Sequence, residues 1–433
     1  MKHTLTTFLL LAGMALQAQQ ATLKVVGKNL TTTTGQTLTL RGINYPIVDD
    51  GTISLANMTQ YRHKIDEAAK TGANSIRLPW YTPGTHWRDV QTPGTLTGYL
   101  SNGHLSDLIG YCHTKGMIPI LEVHNLTCSN AWTSFNNTVM AWWKSPAVLS
   151  LIETHKAYLV INLANEFGQA RWTGNTAAGL TTFQTNYNAA VSDLRNLGVN
   201  VPIMIDAPDC GQSSTELLSI AQNMVTADPQ HNLIFSAHAY WYGYATTTAA
   251  VQTKLNEAQN TNVCFILGEV ASTQDNNSCG DLSLADLYPI ILQEACARNI
   301  GWLAWTYDQD CSAPREMTTN GEFANLTTYG NDLVNNATYG LKSTGGCGAA
   351  LLASKQFSAG INFVLAPNPT KDKLGISSAE KITKAIIYDS YGRELQTYDA
   401  GFDALDVSAL SSGSYIIRLE TAEATFDKKF IRQ

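Results

Sequence analysis

The stretch LVINLANEFG (residues 159–168) runs from β-branched and apolar residues directly into an amide and a carboxylate, Asn165 and Glu166. A short apolar run bounded by polar residues reads as a strand buried on both faces, as in a parallel sheet. Taken alone, Glu166 marks only the point where such a strand reaches solvent. That reading weakens because the pattern recurs. Comparable runs are LTLRGINY (38–45), SIRLPW (75–80), IPILEVH (118–124), VPIMIDAP (201–208), LIFSAHAY (233–240), CFILGEV (264–270) and GWLAWTY (301–307). Helix-patterned segments lie between them, for example residues 58–72 and 183–198, each closing on a glycine suited to a helix C-terminus. Eight strands alternating with helices predict an α/β chain folded as a closed (β/α)8 barrel. The preceding TLKVVGKNLTTTTGQTLTL (22–40) reads as a hairpin covering the barrel floor.

The chain has 433 residues, 44% of them hydrophobic and 15% charged, with a formal net charge of −7. Its length suits one large domain plus a small one. No basic stripe is present to neutralise phosphates, which argues against nucleic acid as a partner. The opening MKHTLTTFLLLAGMALQAQQ sets Lys2 before an apolar core at residues 8–16, which reads as a signal peptide over residues 1–18. That core is too short to span a bilayer, and no later run is long and apolar enough to be a membrane helix. The expectation is an exported, monomeric protein, secreted or held at the cell surface.

Of the eight cysteines, none forms a CxxC pair, so the spacing gives no structural metal site, and no cofactor is expected. Cys112, Cys264 and Cys296 fall in apolar periodic segments and read as core thiols. Cys279 and Cys311, in polar loops, are the expected bridge.

Composition changes after about residue 341. Residues 343–360 read as a linker, leaving a barrel domain at 19–342. Residues 361–433 alternate short strands with glycine turns, the pattern of a small all-β, sandwich-like domain.

In a barrel of this kind the active site lies at the C-terminal ends of the strands. Those ends carry Asn44, Arg77, His124, Glu166, Asp206, His238 with Tyr240, Glu269, and Trp305. One such end is ordinary, whereas a ring of them with two glutamates on different strands points to chemistry. Two carboxylates flanking a glycosidic bond can divide the work of cleaving it, one protonating the leaving oxygen and the other attacking the anomeric carbon or activating water. Asn165 can hold a sugar hydroxyl beside Glu166. Arg77 and the Tyr240 hydroxyl can steady an ionised Glu269, and Gly268 leaves room for a close approach. Trp305 is a candidate sugar platform, with Trp80, Trp241 and Tyr242 as candidate outer subsites. Trp302, three residues before Trp305 on a strand, should face the other way. A non-catalytic carbohydrate-binding protein would be expected to have lost one glutamate, and neither is lost. A metal-dependent hydrolase finds no supporting His/Asp cluster.

The segments RGINY (41–45), ANSIRLPW (73–80), LEVHN (121–125), LANEFG (163–168), SAHAYW (236–241), LGEV (267–270) and WLAWTY (302–307) together resemble the family 5 glycoside hydrolases, over roughly residues 21–340. The resemblance implies a retaining hydrolase with Glu166 as acid/base and Glu269 as nucleophile. It also implies Arg77, His124, Asn165, His238, Tyr240 and Trp305 as the supporting site, and a β-1,4-linked polysaccharide as substrate. LEVHN followed by Thr127, and DAPDCGQ (206–212), look most like the bacterial β-mannanase branch. Cys210 stands where that branch leads one to expect a tryptophan, and Ala237, Val270 and Tyr307 also depart from it. An endo-β-1,4-glucanase therefore remains the alternative.

In the last domain PNP (367–369), YGR (391–393) and SGSY (412–415) resemble the type A sorting domain of the bacterial type IX secretion system. That resemblance implies passage across the outer membrane by a dedicated secretion machinery. A carbohydrate-binding sandwich is the competing reading, and it has few aromatics to offer beyond Tyr388, Tyr391, Tyr398 and Tyr415.

Overall fold

The computed structural model describes residues 21–343, 364–378, 381–389, 394–421 and 425–433. The signal peptide, nearly all of the linker, the YGR turn and Cys347 lie outside these residues. Eight parallel strands close into a barrel. In chain order they are β1 (Arg41–Asn44), β2 (Ser75–Trp80), β3 (Ile118–Val123), β4 (Val160–Asn162), β5 (Ile203–Asp206), β6 (Leu233–His238), β7 (Cys264–Val270) and β8 (Gly301–Ala304). Each strand pairs with its neighbour in sequence, and β8 pairs with β1 to close the ring. Every residue of these strands is buried, which is why they read as unbroken apolar runs rather than alternating ones.

The connecting helices begin and end on local signals. The helix Met58–Ala69 starts from Asn57, whose side chain accepts from the amides of Thr59 and Gln60. It is followed by Gly72 at φ +82°, a conformation that glycine alone adopts freely. The helix expected from residue 183 begins earlier, at Thr176, capped by Asn175. Its first turn is rich in small and polar residues and carries little apolar periodicity, so the sequence pattern hides it.

Residues 22–40 supply three short antiparallel strands rather than a two-stranded hairpin. Their Val25, Leu30 and Leu38 pack with Ile120, Val160, Met204, Ile234 and Leu303 from inside the barrel, closing its floor. Chemistry is thereby confined to the opposite end. No helix among the described residues is long and apolar enough to cross a membrane.

The C-terminal domain comprises a three-stranded and a four-stranded antiparallel sheet. Its own core includes Leu374, Ile387, Val407, Ile417 and Phe430.

Two disulfides are described, Cys279–Cys311 as expected and Cys128–Cys210, which spacing did not suggest. Cys112 and Cys264 are buried free thiols. Cys296 is disulfide-bonded, which corrects its reading as a core thiol. It lies only partly buried near the end of its helix, where a bridge is accessible.

Candidate active site

Arg77, mid-way along β2 and fully buried, is the hub of the barrel mouth. Its guanidinium donates to Glu269 Oε1 (2.9 Å), Asn44 Oδ1 (3.1 Å), Asn162 Oδ1 (2.8 Å), Asn165 Oδ1 (2.7 Å) and Asp206 Oδ2 (3.4 Å). Glu122 Oε2 lies 3.7 Å away. A planar fork with five N–H groups suits this arrangement, and a lysine could not make it. Asn44 is itself fixed, donating to the carbonyls of Gly268 and Ala304.

Glu269 accepts from Arg77 on one oxygen and from the Tyr240 hydroxyl on the other, at 2.7 Å. Glu166 follows β4 by four residues and takes a left-handed backbone, φ +50°. Its amide donates to Asp206 Oδ2 at 3.2 Å, and its Oε1 meets His238 Nδ1 at 2.7 Å. A non-glycine residue in that conformation is strained and persists only where its surroundings hold it. Asp206 and His238 do so here. Glu166 is 8% exposed, so solvent exposure does not explain its place at the end of the strand. One oxygen of Glu166, one of Glu269 and a ring nitrogen of His238 lie within 4.8 Å of one another.

Burial works against a charged imidazole at His238, but Glu269, Asp206 and Glu166 push it up to about 10. Burial likewise opposes ionisation of Asp206, yet His238 and Arg77 hold it down to about 2. Burial is the main force lifting the Glu166 carboxyl above its ordinary value. The His238 hydrogen bond opposes that lift, while Glu269 and Asp206 add to it. The cluster thus pairs cations with anions, and Glu166 is the member whose proton is held in the direction an acid catalyst needs.

Gly268 permits a close approach, here between neighbouring strands. A Cβ there would sit 2.2 Å from Ser236 Oγ and 3.1 Å from His238 Nε2, so the glycine lets β7 approach β6 and seat His238. His124, hydrogen-bonded to Glu122, stacks on Trp305 with ring centroids 5.7 Å apart. The two rings line a cavity of about 320 Å³ with Asp49, Tyr81, Gln309 and Asp310. Trp305 Nε1 donates to Asp310 Oδ2 at 2.7 Å, fixing the ring.

Every residue named from the strand ends is therefore at the mouth, but not every aromatic is. Trp80 and Trp241 are 1% and 0% exposed and pack in the core near Tyr99 and Tyr244, which removes them as outer subsites. Tyr242 is exposed, and Trp302 is fully buried and, unlike Trp305, does not line the cavity at the mouth. Sequence reading missed Glu122 and Asn162, both fully buried around Arg77. A carboxylate and an amide inside otherwise apolar strands were the available signal.

The family model described as "Cellulase (glycosyl hydrolase family 5)" matches residues 32–310. The chain belongs to glycosyl hydrolase family 5. A second model, "Secretion system C-terminal sorting domain", matches residues 364–433. Among curated relatives, a mannan endo-1,4-beta-mannosidase of Cellvibrio japonicus is 28% identical over 79% of this chain and 72% of its own length. A mannan endo-1,4-beta-mannosidase of Streptomyces lividans is 28% identical over 69% of this chain and 70% of its own length. Among solved structures, the catalytic domain of a mannanase from Streptomyces sp. SirexAA-E superposes with a TM-score of 0.60 at 22% identity. That match covers 80% of this chain and 98% of the other. This family 5 chain is a glycoside hydrolase of the retaining, double-displacement type, and it carries an export signal at its C-terminal end.

Proposed function

We propose that this family 5 enzyme is an exported endo-β-1,4-mannanase in which Glu269 is the nucleophile and Glu166 the acid/base. The observation that carries the assignment is the unequal surroundings of the two carboxylates. Glu269 accepts from the Arg77 guanidinium on one oxygen and from the Tyr240 hydroxyl on the other, which fixes its orientation for attack. Glu166 has one oxygen tied to His238 and is held toward its protonated form by burial. Glu269 would attack the anomeric carbon while Glu166 gives its proton to the leaving oxygen. Glu166 would then take a proton from the water that releases the sugar. Carboxyl groups about 5–5.5 Å apart suit that sequence, and about 6.5–9.5 Å would suit inversion. The approach within 4.8 Å of one oxygen from each glutamate agrees with the shorter spacing. Trp305 and His124 would offer ring faces to a pyranose, with Asn165 and Asp310 at its hydroxyls.

The mannan reading rests on the names of the relatives and on the DAPDCGQ segment. An endo-β-1,4-glucanase is the second reading, favoured by the family model's own description. The mature enzyme would begin near residue 19, with a catalytic domain at 19–342, a linker at 343–360 and a sorting domain at 361–433 that delivers it to the secretion machinery. We read the mature enzyme as a monomer. The deciding experiment compares reducing-sugar release from galactomannan and carboxymethyl cellulose, with Glu269→Gln as control. Release from galactomannan, abolished in the variant, is expected. Release from cellulose alone would overturn the substrate, and near-normal turnover by Glu269→Gln would overturn the nucleophile.

A further inference from the structure

The Cys128–Cys210 bridge lies beside the reacting groups, not at the periphery. Cys128 is in the loop after β3, Cys210 in the loop after β5, and Glu166 in the loop after β4 between them. Cys128 Sγ is 3.5 Å from Glu166 Oε2. A bridged sulfur has no proton to donate, so this is an apolar contact. The described hydrogen bonds of Glu166 join Oε1 to His238 and its amide to Asp206, and the sulfur lies against the other carboxylate oxygen.

These three loops are unusual in their backbone. Of eight non-glycine residues with positive φ among those described, five fall here: Leu126, Cys128, Glu166, Asp209 and Cys210. Residues in that region are strained and persist where neighbours over-determine them. The Gly168 amide donates to the Ser129 carbonyl at 2.8 Å, the Asp209 amide to the Gly168 carbonyl at 2.9 Å, and Gln169 Nε2 to the Cys128 carbonyl at 3.1 Å. The buried Asp209 carboxylate in turn accepts from the amides of Ala170, Arg171 and Trp172. The bridge joins the outer two of three loops already stitched together around the acid.

We propose that the Cys128–Cys210 disulfide is a positioning element of the catalytic acid, covering one side of Glu166 Oε2 with sulfur so that no protein donor reaches it from there and the carboxyl keeps its proton for the leaving group. The proposal rests on Glu166 being the acid/base. It goes with the upward displacement of the Glu166 carboxyl by burial. Opening the bridge would put a hydroxyl or water in place of sulfur on that side of Oε2, favour the ionised form and lower the upper limb of the pH profile. The position at which the mannanase branch leads one to expect an indole would here supply a different apolar wall.

The test uses the full mature chain in three forms: wild type, Cys128→Ala/Cys210→Ala and Cys128→Ser/Cys210→Ser. Each is assayed for kcat/KM against pH on a manno-oligosaccharide, whose leaving group needs a proton, and on an aryl mannoside with a good leaving group. The expected order of the upper limb is wild type, then the alanine pair, then the serine pair, whose hydroxyls can donate to Oε2. The serine pair should be lower by about one pH unit and lose about tenfold on the oligosaccharide near neutrality, with the aryl mannoside affected far less. A merely structural bridge predicts equal losses on both substrates, with the upper limb unmoved in both pairs, and that result overturns the proposal. Reducing the bridge in the folded wild type with a phosphine gives a second readout should either pair fail to fold, and an unmoved limb there also overturns it. Glu166→Ala separates the two claims. If it spares neither substrate selectively, the acid/base assignment has failed; if it spares the aryl mannoside but the bridge variants do not, only the proposal has.

Discussion

Asp206→Asn tests whether the buried cluster at the barrel mouth is held by charge or by shape. The substitution keeps the side chain's size and one carbonyl oxygen for the Glu166 amide, but removes the anion facing His238 Nε2 at 3.5 Å and Arg77 at 3.4 Å. The native carboxyl is held at about 2 against an ordinary 3.8. A group with a depressed folded pKa stabilises the fold above its unfolded pKa and loses that contribution as pH falls through the folded value. The displacement corresponds to about 2 kcal/mol, present in full at pH 7 and 5, about half gone at pH 3 and absent below pH 2. Asp206 is fully buried, so solvent screening does not reduce this figure much. Urea unfolding of wild type and variant at pH 7, 5 and 3, followed by barrel tryptophan fluorescence, reads the difference directly. The gap should be about 2 kcal/mol at pH 7 and 5 and should narrow toward pH 3. A gap equal at all three values, or none at pH 7, would refute an electrostatic role for Asp206.

Arg77→Met should cost more, about 3–5 kcal/mol by thermal or urea unfolding, because it leaves buried carboxylates without their cation; an unfolding midpoint close to wild type would be inconsistent with the hub described above. Gly268→Ala should destabilise by about 1–3 kcal/mol through the clash with Ser236 Oγ and should lower kcat more than it changes KM, since His238 is displaced. Adding Ser236→Ala should recover most of that stability, and failure to do so would place the strain elsewhere. Removing the Cys279–Cys311 bridge, with its sequence separation of 32 residues, should cost about 3–4 kcal/mol by loop entropy. The same change should raise KM, because Asp310, which fixes the Trp305 indole, is adjacent to Cys311; a lower unfolding midpoint with KM unchanged would detach Trp305 from that loop.

The fold was legible because its signals are local. β-branched runs and helix-closing glycines such as Gly72 each report on the few residues around them, and eight repeats of one pattern leave few topologies open. Where the signal is not local the reading failed. Cys128 and Cys210 are 82 residues apart and meet because barrel closure brings alternate loops together. Trp80 and Trp241 look like rim aromatics on paper, but each side chain is buried in the core, beside Tyr99 and Tyr244 respectively, and no periodicity in so short a segment says so.

The proposed catalytic pair stood out in the sequence for a related reason, and the residues packed around it only in part. A strand that ends in a carboxylate is conspicuous because burial of a charge is costly, so two of them at corresponding ends call for a cause. Glu122 and Asn162 lie within strands and look like interruptions of an apolar run, although they are as buried as the leucines beside them. Only the inward register that turns Asn44, Arg77, Glu122, Asn162 and Asp206 toward one point makes sense of them together. Two glutamates given identical surroundings could not serve as nucleophile and acid, and what separates them is contributed by strands β1 to β7. Arg77 and Tyr240 attend Glu269, while His238, Asp206 and a disulfide attend Glu166. The chemistry is therefore encoded in which strands lie next to which, a property that a closed ring fixes for all eight at once.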